Sequence, residues 1–319
     1  MKVSFAILLL CEVAAVLVSA QWSYNEANGD GPSMWGSNPA YYTCGNGTSQ
    51  TPIDIVQSTT TYMSYPTLQF MNNSDPVRFR LMNDGHGIAA LRMTSSNNGN
   101  PILMGGPLGT DTYRIYNYHI HFGNSTFVAA EHAFDGYRTT GELHVVTYNT
   151  KFANIGLAVG SGERNALAVV GILFNATAST PSPTNPILDS MISDAANLTY
   201  KDDGIDIAID FRQLVPNTDL RNYYTYSGSL TTPGCAEVVT WLVMSGTVQI
   251  TNQQIQSLSS LVSGTQASNN TYPLYGNTRP LQMLNGRPVM RSFMLSSACH
   301  LSASFSILAA ISAFLVLFL

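Results

Sequence analysis

Two histidines one residue apart, His119-Ile120-His121, stand in a run of β-branched and aromatic residues. A third, His144, stands in a similar run, Glu142-Leu143-His144-Val145-Val146. Side chains two apart on a strand share a face. His119 and His121 therefore project side by side, with Ile120 turned into the opposite layer. If the two strands pair in register, three imidazoles converge. Three neutral imidazoles form a zinc ligand set, and an open fourth position admits water. One His-X-His on a strand is more often just two polar neighbours; the third histidine and its company raise its meaning. A ligating imidazole needs an acceptor for its second ring N–H. Asn117 and Glu142 each lie two residues from a proposed ligand on the same face and are the candidate acceptors.

Such a site must be carried by strands. Runs rich in β-branched and aromatic residues, broken by Gly, Asn, Pro and Ser, cover 112–122, 142–148, 167–174, 205–209 and 238–247. They read as strands of a half-buried sheet. Helical signals are few; 189–198 and 251–262 are the best, with Asp189 and Thr251 as caps. No linker, repeat or charge block interrupts 21–293. The expected fold is mainly β: a single domain on a large twisted, mostly antiparallel sheet with short peripheral helices. Charged residues make up only 10% of the 319, which excludes a coiled coil or a disordered chain. The net charge of −5 leaves no basic field for a phosphate backbone, so no nucleic-acid partner is expected.

The two ends point to the secretory pathway. Lys2, an apolar run over 3–18 and the small residues Ser19-Ala20 form a signal peptide over 1–20. At the other end, 294–319 combines small residues at Ser296, Ser297 and Ala298, a short polar spacer and an apolar tail over 307–319 with no basic flank. That pattern is a GPI-attachment signal rather than a stop-transfer helix, with those three residues as candidate attachment points. The expected location is the extracellular face of the plasma membrane, held by a lipid anchor, with secretion as the fallback. Sequons occur at Asn46, Asn72, Asn124, Asn175, Asn197 and Asn269. Cys11 leaves with the signal peptide and Cys299 with the tail. Cys44 and Cys235 remain, as a disulfide in an oxidising compartment or as two buried thiols.

The whole mature chain resembles the alpha-class carbonic anhydrases, in particular their membrane-anchored extracellular branch. The residues that carry the resemblance are Gly31-Pro-Ser-Met-Trp35, Gln50-Thr-Pro-Ile-Asp-Ile55, Gly85-His86, Gly106-Pro-Leu108, Tyr113-Arg114, His119-Ile-His121, Glu131-His132, Glu142-Leu-His144, Ser229-Leu-Thr-Thr-Pro233, Val239-Thr-Trp241 and Arg279-Pro280. The resemblance implies zinc on His119, His121 and His144, a water whose pKa falls to roughly 7, and attack of zinc-bound hydroxide on carbon dioxide to give bicarbonate. It implies that Thr231 donates to Glu131 and so orients the hydroxide, while the Thr231 amide, with Thr232 beside it, faces substrate or an anionic or sulfonamide inhibitor. Val146, Val169, Leu230, Val239 and Trp241 match the apolar substrate wall. His86 matches a proton shuttle, Tyr24 and Tyr226 match residues that order connecting waters, and Asn277 matches a residue whose backbone orients a ligand imidazole. His132 matches a buried structural histidine.

Several positions depart from the family pattern. Asp84 stands where many members have Asn, and its charge is expected to raise the His86 pKa. Ala89 replaces a polar residue of the water network, Asn117 a longer Gln, Phe122 a Trp and Gly234 a Pro. A Cys44–Cys235 bridge would tie the Thr231 loop to the N-terminal segment and preserve its geometry. The competing reading is a non-catalytic carbonic-anhydrase-like binding or adhesion protein; such relatives typically lose a ligand histidine, and all three are kept here.

Overall fold

Aromatic and β-branched residues dominate the segments that pair, and the chain is built on them. In the computed structural model the described residues are 21–71, 76–93, 101–124, 127–178, 185–210, 220–269 and 271–295. The signal peptide, Cys11, Asn72, the attachment candidates Ser296, Ser297 and Ala298, Cys299 and His300 lie outside them. The strands are β1 (Asp54–Ile55), β2 (Thr61–Tyr62), β3 (Gln69–Met71), β4 (Val77–Asn83), β5 (Ile88–Arg92), β6 (Ile102–Met104), β7 (Thr112–Phe122), β8 (Ala133–Phe134), β9 (Gly141–Asn149), β10 (Leu167–Thr177), β11 (Gly204–Ile209), β12 (Tyr223–Gly228), β13 (Val239–Met244), β14 (Val248–Thr251) and β15 (Met290–Arg291). Thirteen of them form one sheet, whose main path runs β11-β4-β5-β7-β9-β10-β13-β12-β15-β2. Antiparallel pairs prevail; within this sheet β10–β13, β10–β14 and β15–β2 are parallel. β1 and β8 form a separate parallel pair.

The sheet is covered on both faces. Tyr113, Ile115, Tyr118, Ile120, Leu143 and Val145 join the larger apolar cluster on one face. Val146, Val169, Leu173, Val239 and Trp241 belong to a second cluster on the other. β9 is buried at every residue because it lies in the middle of the path with cores on both sides. The metal candidates sit on the second face.

Helices are short and peripheral. Thr251 caps the helix Asn252–Ser257 through a reciprocal box with Gln254, and the chain continues as a 3-10 turn over Leu258–Ser260. Other short helices cover Tyr42–Asn46 and Ile155–Gly160. The second helix expected from the sequence runs over Pro186–Ala195, earlier than the sequence suggests. Its cap is Asn185, whose side chain accepts from the Leu188 amide, and Pro186 opens the first turn. Asp189 lies inside that turn and instead accepts from the Gln254 side chain. The strand expected over 238–247 ends at Met244, where Ser245 and Gly246 turn the chain into β14. No helix among the described residues is long and apolar enough to cross a membrane.

Cys44 and Cys235 form a disulfide across 191 residues, with Cα atoms 5.0 Å apart. Arg279, 2% exposed, threads the same region. Its guanidinium donates to the carbonyls of Thr51 and Cys44, each at 2.8 Å.

Candidate metal centre

The site begins with an irregularity in β7. Before it, Tyr113 and Ile115 face the large core; after it, Tyr118, Ile120 and Phe122 do. Strict alternation from Ile115 would have sent Asn117, His119 and His121 into that core. The register against β9 slips between Ile115 and Asn117, so one extra residue is absorbed at Tyr116. The bulge places His119 and His121 on the second face. There His119 lies directly opposite His144, and His121 opposite Glu142.

The three rings converge. Their centroids are 5.1 Å apart for His119–His121, 5.2 Å for His119–His144 and 4.7 Å for His121–His144. One nitrogen from each lies within 4.8 Å of the others. His121 Nδ1 donates to the Asn277 carbonyl at 2.6 Å, which leaves Nε2 as the bare lone pair. His144 Nε2 donates to Glu142 Oε1 at 2.9 Å, which leaves Nδ1 bare. Burial pushes the pKa of His119 and of His121 down, and the neighbouring imidazoles add to it, so both are neutral as ligation requires.

Behind them runs a polar chain. Burial alone would raise the Glu142 pKa, but His132 and His144 on its carboxylate hold it well below the usual range. Glu142 accepts from the His132 amide at 2.8 Å and from His132 Nδ1 at 2.7 Å. His132 Nε2 meets the Tyr226 hydroxyl at 2.6 Å. Both ring nitrogens of His132 are thus engaged within this buried chain. Tyr226 is not a water-ordering residue of the cavity: it is buried, and its hydroxyl is spent on His132 and Thr51. Gly171, opposite His144 on β10, leaves room for Glu142, since a Cβ there would stand 2.6 Å from Oε1.

Glu131 is fully buried. Its Oε1 accepts from the Arg279 amide at 3.0 Å, while Oε2 faces His121 Nε2 at 3.4 Å and His144 Nδ1 at 3.9 Å. The expected Thr231-to-Glu131 hydrogen bond is not formed: Oε1 accepts from Arg279 and Oε2 turns to the imidazoles without a hydrogen-bond donor. Oε2 and His121 Nε2 are both buried with no hydrogen-bond partner. A carboxylate oxygen and bare ring nitrogens gathered without a proton between them suit a cation. With three imidazoles as donors, that cation is zinc.

A cavity of about 310 Å³ opens over the histidines. Tyr24, His86, Asn117, Val146, Leu230, Thr232 and Asn277 line it, as do Tyr116 and Ile155, which the sequence did not single out. Val169, Val239 and Trp241 lie behind Val146 in the same apolar cluster, a second layer rather than the lining. Thr231 is buried beside Thr232. Tyr24 stands edge-on to His121 with centroids 6.5 Å apart, and burial holds its phenol protonated. His86 stacks on Trp22 with centroids 3.7 Å apart. Burial lowers its pKa, and the Asp84 charge opposes this without reversing it. The expected upward push from Asp84 is present, but burial outweighs it and the net shift is downward. Asp84 Oδ1 also accepts from the amides of His86 and Gly87 and so holds the loop.

The family model for eukaryotic-type carbonic anhydrases matches residues 30–293. Mouse carbonic anhydrase 1 is 32% identical over 279 residues, which span 87% of this chain and all of the relative. The chain belongs to the eukaryotic-type carbonic anhydrase family. This carbonic anhydrase is a zinc enzyme that interconverts carbon dioxide and bicarbonate, and its three imidazoles form a group able to hold the metal. Two parts of its site were hidden in the sequence. Trp22 and Arg279 act on His86 and Glu131 from segments far away in the chain, and no local pattern marks either role.

Proposed function

We propose that this carbonic anhydrase hydrates carbon dioxide outside the cell, tethered by a lipid anchor near its C-terminus. The sequence patterns at both ends support this reading, as does the Cys44–Cys235 bridge, since disulfides persist in oxidising compartments. The sequon residues Asn46, Asn175, Asn197 and Asn269 are exposed and Asn124 is half-buried, so glycans fit at these positions. Release by phosphatidylinositol-specific phospholipase, with a mass drop on enzymatic deglycosylation, tests the location; protein that stays on membranes after lipase contradicts it.

For the chemistry, the carrying observation is the convergence of three imidazoles beneath an open cavity. Zinc held by His119, His121 and His144 supplies a Lewis acid that lowers the pKa of a water to roughly 7. Asn277 and Glu142 aim the His121 and His144 rings. Val146 and Leu230 offer an apolar wall to a substrate without a net dipole. Thr231 and Thr232 present hydroxyl and amide groups to the substrate oxygens, the same groups that would receive a sulfonamide or an anion. His86 carries the released proton to solvent, and Tyr24 keeps a hydroxyl in the cavity for the waters between. Stopped-flow hydration with zinc analysis tests these roles. His144→Ala should lose both zinc and hydration, and hydration that survives the substitution contradicts them. A non-catalytic adhesion role gains no support from a site that keeps every ligand.

A further inference from the structure

The three imidazoles are not held alike. His121 is fixed on the Asn277 carbonyl, and Asn277 is fixed in turn by bonds to the Ile120 carbonyl and the Phe122 amide. His144 is fixed on Glu142, which His132 grips twice. The His119 ring makes no hydrogen bond among the described residues. The group placed to serve it is Asn117, on the same strand face. Its Oδ1 is buried and has no hydrogen-bond partner.

Length explains the miss. Residues two apart on a strand are separated by about 6.7 Å, so a side chain must reach along the strand to meet its neighbour. Asn is one methylene too short. No cross-strand neighbour makes up for it: Ala89 and His144 flank His119, while Leu91 and Val146 flank Asn117. Ala89, Leu91 and Val146 carry no polar side-chain group, and the bond that His144 makes goes to Glu142.

We infer that His119 is the unanchored ligand of this centre, and that zinc is therefore held by two oriented imidazoles and a third that is free to turn. This rests on the zinc reading above. A ring without a hydrogen-bond partner has neither tautomer nor orientation set before the metal arrives. Ordering it opposes binding, and the His119 side lets go first. Loss of one such partner typically weakens metal affinity by about 10–100-fold.

The test uses the purified full-length zinc enzyme and follows zinc release to a chromogenic chelator at neutral pH. Asn117→Gln restores the missing reach and should slow release or tighten affinity by about 10–100-fold. Asn117→Ala should leave release unchanged, because the native side chain contributes no bond. In histidine NMR of the zinc form, the free ring N–H of His119 should exchange with solvent faster than those of His121 and His144. If Asn117→Ala speeds release by about tenfold or more, Asn117 already anchors His119 and the inference fails. It fails equally if Asn117→Gln changes nothing, or if the His119 N–H is as protected as the other two. A chain that never takes up zinc overturns the reading of the centre itself, and this inference with it.

Discussion

At His86 two opposing effects meet on one ring. Burial against Trp22 disfavours the imidazolium, and Asp84 favours it but loses. The ring pKa therefore lies below its ordinary 6.5. The sign follows: at neutral pH His86 is a base ready to take a proton, and it surrenders that proton readily. Removing the Asp84 charge should lower the pKa further, so Asp84→Asn should shift the NMR titration of His86 to lower pH; a shift upward would contradict the assignment. His86→Ala should cut hydration at low buffer by about 10²-fold, the lower end of general acid–base contributions, with recovery on added imidazole. An unchanged low-buffer rate would remove His86 from proton transfer.

Strand geometry decides whether the ligands meet. The bulge at Tyr116 lets β7 present its histidines away from the large core. Deleting Tyr116 removes the one extra residue, so Ile115 and Asn117 become strand neighbours, pairing with β9 becomes regular and His119 and His121 keep the metal face. Zinc content should stay near that of the parent protein; a deletion variant that still reports a sheet by far-UV circular dichroism but binds no zinc would contradict this. Gly171→Ala drives a methyl against Glu142 Oε1 and should weaken zinc affinity by about 10–100-fold through His144. Equal affinity in the variant would show that Glu142 can move freely. Much at this scale was legible: 112–122 reads as β7 from its β-branched and aromatic residues, and two paired strands could bring the three histidines together, but the register that sets His119 opposite His144 was left open. The bulge was not read, although the shift of apolar residues from Tyr113 and Ile115 to Tyr118, Ile120 and Phe122 is visible in the sequence. The helix start at Asn185 is not marked locally because Asp189 is an equally good cap type; the Asn185 side chain takes the Leu188 amide and Pro186 occupies the first turn.

Across the whole molecule, distant segments converge on one carboxylate. The Cys44–Cys235 disulfide, the Cys44 carbonyl, the Arg279 guanidinium and the Arg279 amide lead step by step to Glu131. Burial lowers the Arg279 pKa to about 10, so it remains a cation at neutral pH. Replacing both cysteines by serine should cost roughly 2–4 kcal/mol of stability, read as a lower denaturant midpoint, and should lower hydration more than it lowers zinc content. Stability and activity both unchanged would contradict this link. The cysteine pair could be assigned from the secretory context, whereas the path through Arg279 could not, because its contacts lie more than 140 residues apart in the chain. The centre on which everything depends is tested most directly by elemental analysis of the purified, dialysed protein at neutral pH. The expected result is one zinc per chain, lost when His144 is replaced by alanine. A zinc content far below one, or one that is the same with and without His144, would contradict it.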